Sequence, residues 1–157
     1  MKAITIQQPW ATLVALGEKR FETRSWKTGH RGPLAIHAGQ TVDKAACRQE
    51  PIATVLAKIG HTAETLPRGA IIATCELHDC LRVAGNEGDH ALLGPAAVTV
   101  SGSEYHFGDY AAGRYAWELR DVQPIQPIAV KGRLSLWDWE PPSELPSPSD
   151  NQRSGGI

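Results

Sequence analysis

Apolar and polar residues alternate in short runs along this chain, and glycine and proline punctuate the runs. Ala3 to Ile6 reads as a strand that ends at Gln7-Gln8-Pro9, where proline suits the first turn of a helix. That helix, Trp10 to Leu16, turns Leu13, Val14 and Leu16 toward a core and stops at Gly17, a residue suited to helix termination. Arg20 to Trp26 alternates as a second strand, Thr28 to Pro33 is turn-rich, and Leu34 to Ala38 is a third strand. Residues 41–60 carry Val42, Ala45, Ala46, Ile52, Val55, Leu56 and Ile59 at helical spacing. Pro51 starts a new helical segment there or kinks the first.

Gly69 to Val83 contains the β-prone run Ile71 to Leu77. Residues 84–109 show little periodicity and are rich in Gly, Asp, Asn and His, which predicts a long surface loop and a candidate lid. Tyr115 to Val122 and Arg133 to Trp139 are the last two predicted strands, joined through Pro124-Ile125-Gln126-Pro127. Five or six strands with two early helices and no βαβ repetition predict the α+β class. The expected architecture is a small mixed, mostly antiparallel barrel with two or three helices at its rim. A domain at 1–140 is followed by a Pro/Ser-rich acidic tail at 141–157, expected to be disordered.

Composition narrows the function. An apolar share of 41% over 157 residues suffices for one core. No apolar run approaches the ~20 residues of a membrane helix, and the first residues are too short in apolar content for a secretory signal. The expectation is therefore a cytoplasmic protein with no membrane partner, and a monomer. Cys47, Cys75 and Cys80 form a sparse, odd set, which suits free thiols. There is no CxxC pair, and strand alternation sets Cys75 and His78 on opposite faces, so neither a metal nor another cofactor is expected. Net charge is −1, but it is unevenly spread. Residues 1–40 hold six basic and two acidic side chains, and residues 138–157 hold one and four. Such asymmetry suits a site for a short anionic ligand.

The candidate chemistry lies in Gly17-Glu18-Lys19-Arg20-Phe21-Glu22-Thr23-Arg24-Ser25-Trp26. Alternation gives Arg20, Glu22, Arg24 and Trp26 one face and turns Phe21 to the other. Guanidinium groups grip phosphate through paired donors, an indole stacks on a base, and a carboxylate accepts from base amino groups. The same residues also fit an exposed strand laced by weak ion pairs, and both readings stay open on these residues alone. Lys27 and Arg31 extend the basic stretch as further ligand candidates.

Three blocks bear on the choice: Ile4 to Ala11 with its QPWA turn, Gly17 to Trp26, and Arg31-Gly32-Pro33-Leu34-Ala35-Ile36-His37-Ala38. Together they resemble the opening of ASCH domains, with their GxKxxExR signature. The strand Ile71 to Leu77, Tyr115 to Leu119 and Gly132 to Trp137 fit the same rhythm. The resemblance implies a PUA-like β-barrel whose cleft binds RNA or a modified nucleoside. Carried onto this chain, it assigns Lys19, Glu22 and Arg24 to the cleft, with Trp10, Trp26 and His37 as walls.

Some ASCH-like proteins are hydrolases. Those that deacetylate N4-acetylcytidine resemble this chain at Lys19, but the threonine they carry three positions later is Glu22 here, and alternation turns Thr23 away. An enzyme would then use Glu22 as general base with Lys19 or Arg24 stabilising an oxyanion. His37, on an apolar strand, reads as a core histidine before a catalytic one. Family ribonucleases use lysine, tyrosine and serine, for which Tyr105, Tyr110, Tyr115 and Ser135 are available. Glu76 and His78, on one strand face, are weaker candidates for the cleft mouth.

Overall fold

A computed structural model describes residues 1–148. In chain order the elements are β1 (Lys2–Gln8), α1 (Trp10–Ala15), β2 (Phe21–Arg24), β3 (Gly32–Val42), α2 (Lys44–Cys47), α3 (Ile52–Lys58), β4 (Ala70–Asn86), β5 (His90–Gly94), β6 (Val98–Ser101), α4 (Gly102–His106), β7 (Tyr115–Ala129) and β8 (Leu136–Asp138). Helix α1 ends one residue before Leu16, which is exposed instead of entering the core. Gly17 follows at φ +78°, a conformation that costs glycine least. The 41–60 stripe splits where Pro51 interrupts it. Asp43 caps α2 by accepting from the Ala46 N–H at 2.9 Å, and Ile52 and Leu56 of α3 are buried.

The strands form one mixed α+β sheet in the order β2-β7-β4-β3-β1-β8, with β5 paired to β4 and β6 to β5. Among the described residues only β1 and β3 pair in parallel; the other pairs run antiparallel. The mostly antiparallel mixed sheet with helices follows the pattern of the sequence, but it does not close into a barrel. Its path ends at β2 and β8, which do not pair among the described residues. Both faces of the central strands are covered. Ile4, Ile6, Leu34, Ile36, Ala38 and Trp117 join one core, and the alternate positions Ala3, Ala35 and Ile71 join Trp137 and Trp139 in another. Two-sided burial of this kind follows from period-2 side-chain alternation in strands whose faces are both apolar.

Three expectations are corrected. Residues 84–109 are not a loop: β4 runs on to Asn86, and β5, β6 and α4 follow. The polar residues 87–89 are the turn between β4 and β5, and Ala91, Leu93 and Val100 enter a third core with Phe21, Leu81, Val83 and Tyr110. Nor do Pro124 and Pro127 end a strand; both lie inside β7. That half of β7 pairs with β4 on one side only, and an edge tolerates a missing N–H. Finally, Arg133 to Trp139 yields only the three residues of β8. Within the acidic tail, Pro146 accepts from the Gln126 N–H at 3.0 Å; residues 149–157 lie outside the described residues. No helix among the described residues is long and apolar enough to cross a membrane.

Because Leu93 is wholly buried, Leu93→Ala should cost about 2–5 kcal/mol in urea unfolding. A true surface-loop residue would change stability by less than about 0.5 kcal/mol.

Candidate functional site

Strand β2 lies against β7, with Glu22 opposite Trp117 and Arg24 opposite Tyr115. Alternation puts Phe21 into the third core and leaves Glu22 and Arg24 together. The Arg24 Nη2 donates to the Thr5 carbonyl at 2.8 Å and lies 3.5 Å from the Glu22 Oε2. Thus a side chain on β2 reaches across to the backbone of β1. The Arg24 Nε and Nη1 have no acceptor among the described residues.

Lys19 sits behind them, in the turn before β2, and only 1% of its surface is exposed. Its Nζ donates to the Phe21 carbonyl at 2.5 Å and the Phe107 carbonyl at 3.1 Å, and the Glu22 Oε1 lies 3.9 Å away. Burial pushes the ammonium below the ordinary lysine pKa, while Glu22 and Glu104 pull it back up. Glu104, carried by α4, accepts from the Arg20 and Phe21 N–H groups at 2.8 and 2.7 Å. Burial raises its pKa, and Lys19 is the chief opposing influence.

In front of Glu22 and Arg24 lies an open cavity of about 900 Å³. Trp10 and Trp26 wall it, Gln7, Gln40 and Thr41 supply polar groups, and the segment after α4 contributes Asp109 and Arg114, with His106 at the end of α4. Trp26 is half-buried and meets Trp117 edge-to-face at 4.8 Å. Thr23 also borders the cavity, but its hydroxyl accepts from the Asp109 N–H at 3.0 Å. The contributions of Gln40 and of residues 106–114 carried no signal in sequence, since contacts far apart along the chain bring them there.

His37 faces a different space. Its Nε2 bonds the Val130 carbonyl at 2.7 Å, so in the neutral ring Nδ1 accepts from the Thr5 hydroxyl, 3.1 Å away. Beside it is a second cavity of about 830 Å³, rimmed by residues 129–135 and sharing Thr5, Arg24, Gly39 and Gln40 with the first. Ser135 borders this second space.

Of the predicted residues, then, Glu22, Arg24, Trp10 and Trp26 converge on one cavity, Lys19 supports it from beneath, and His37 borders its neighbour. Arg20 and Lys27 are exposed and border neither space. Arg31 is turned to Asp79 at 3.3 Å and to the Thr28 and His30 carbonyls. His78 faces Glu118 at 3.7 Å, and Glu76 borders neither cavity. Tyr105 donates to Asn86, and Tyr110 is buried. Cys47 and Cys75 are buried free thiols and Cys80 is half-buried.

Fold and site together define an α+β domain of a mixed sheet with a polar, tryptophan-walled cleft between β1 and β2. The ASCH domain model matches residues 4–129, so the chain belongs to the ASCH domain family. Activating signal cointegrator 1 from Homo sapiens and from Mus musculus are each 37% identical to it over 81 residues. That segment is half of this chain and 14% of theirs. Among solved structures, ASCH from Zymomonas mobilis aligns with a TM-score of 0.45 and 19% identity, over 98% of this chain and 92% of that one. A tyrosine-to-phenylalanine mutant of the same Zymomonas mobilis protein aligns with a TM-score of 0.45 and 18% identity, over 98% and 95%.

Lys19→Met should lower stability by about 3–5 kcal/mol in urea unfolding, as expected when one member of a buried charge network is removed. A loss under about 1 kcal/mol would contradict its structural role. Glu104 gives a pH signature. Its native pKa is raised, so above the ordinary value of 4.5 the native state holds more protons than the unfolded chain, and stability falls as pH rises through that window. Glu104→Gln should flatten this fall, as read by thermal melts at successive pH values.

Proposed function

We propose that this domain binds single-stranded RNA and holds one nucleotide in the cavity between β1 and β2. The observation that carries the reading is the convergence of Glu22 and Arg24 on one open space walled by Trp10 and Trp26. Each part matches an element of a nucleotide. Glu22 is 7% exposed and accepts from base amino or imino groups. Arg24 keeps donors free for a phosphate or a base edge, and the indoles offer apolar surface to the ring. The volume is that of a small-ligand site. The ASCH family is thought to bind RNA, which supports the same reading.

Hydrolysis is a second reading, and one observation favours it. Glu22 is a largely buried carboxylate bordering the open cavity, with Lys19 and Arg24 beside it, an arrangement that suits a general base acting on water. The Lys19 amine already donates to two carbonyls, so in this reading Arg24 stabilises the developing charge.

Titration of intrinsic fluorescence with single-stranded RNA tetramers tests both. Trp26→Ala should weaken binding about 5- to 150-fold, the stacking of one base. Glu22→Gln should alter the preference among bases without loss of fold by circular dichroism. Unchanged affinity and preference in both variants would remove the nucleotide reading. Product from an N4-acetylcytidine substrate or from the tetramers, lost in Glu22→Gln, would establish the hydrolase.

A further inference from the structure

The two cavities share a wall, and their charges differ. The first holds both signs, with Glu22 and Asp109 among Arg24, His106 and Arg114. The second has Arg24, Lys131 and Arg133 and no carboxylate among its described lining residues. Arg114 is already paired with Asp109 at 3.5 Å, whereas Lys131 and Arg133 are exposed and have no carboxylate partner among the described residues. Arg24 is the saddle between the spaces. Its Nη2 is held by Thr5 on β1, and its Nε and Nη1 have no acceptor among the described residues.

The segment that rims the second cavity is held in place. His37 bonds the Val130 carbonyl, and Gly132 lies so close that a Cβ there would stand 2.6 Å from the His37 ring and 2.7 Å from the Thr5 hydroxyl. On this anchored segment Leu134 is 93% exposed, an apolar side chain presented to solvent beside two cations.

We propose that the second cavity is a subsite for the next nucleotide of the same strand, so that the smallest fully engaged ligand is a dinucleotide. The assignment rests on the nucleotide reading of the first cavity and extends it. The phosphodiester between the two nucleotides lies over Arg24 and is met by Lys131 and Arg133 from the other side. The second base rests against the apolar side chains of Ala129, Val130 and Leu134, which line this space. A carboxylate-free, cationic space next to a mixed one is what a backbone phosphate beside a base requires.

Calorimetric titration with the four nucleoside 5′-monophosphates and with ApA, CpC, GpG and UpU tests it. The best dinucleotide should bind about tenfold or more tighter than the matching mononucleotide. Lys131→Ala with Arg133→Ala should bring the dinucleotide to mononucleotide affinity, and Leu134→Ser should remove part of the gain. Equal affinity for mono- and dinucleotides, or a gain that survives the double substitution, overturns the second subsite and leaves the first standing. If the parent protein binds none of these compounds, both readings fall. All three substituted residues are exposed, so urea midpoints should stay at the parent value.

Discussion

A wholly buried ammonium group organises the centre of this domain. Lys19 has left water, and its donors are met by two main-chain carbonyls, Phe21 at the start of β2 and Phe107 beyond α4, with Glu22 close by. Such a charge is tolerable only where its donors find acceptors. The network therefore fixes the relative places of β2, the turn before it and the segment after α4. Glu104 reinforces it by accepting from the Arg20 and Phe21 N–H groups at the start of β2. Glu22, held from behind by Lys19 and from the side by Arg24, then borders the cavity in one orientation.

The second constraint is the bond from Arg24 to the Thr5 carbonyl. The sheet does not close by strand pairing, and this contact draws β2 toward β1 across the gap. A gap bridged by one side chain is a cleft with a partition, and the two cavities lie against that partition. Had β2 paired with β1 through a full ladder, the main chain would fill the space that the cavities occupy.

Much of this was legible along the chain. The alternation of β1, β2 and β3 and the halting of α1 at Gly17 are local properties, and they carried Glu22 and Arg24 to one face correctly. The helical stripe at 41–60 and its break at Pro51 are equally local. The β5–β6 hairpin was not legible, because its strands are short and its turn residues dominate the composition, while the apolar alternation of residues 90–93 is too brief to outweigh them. Prolines 124 and 127 misled for a related reason: whether proline ends a strand depends on which side of it is paired. The tail was read from composition, and its contact at Pro146 with the Gln126 N–H depends on an N–H left unpaired in β7.

By itself the sequence determined the residue types and their local periodicity: the family signature, the face shared by the acid and the arginine, and the apolar positions that become the cores. Tertiary structure alone decided what each charge faces. It buried Lys19 and turned Arg31 toward Asp79. It left Arg20 and Lys27 away from the cleft and brought Gln40, Arg114, Lys131 and Arg133 to the paired cavities. The reason is that periodicity is set by backbone geometry over a few residues, whereas exposure and electrostatic environment are set by whichever distant segment packs alongside.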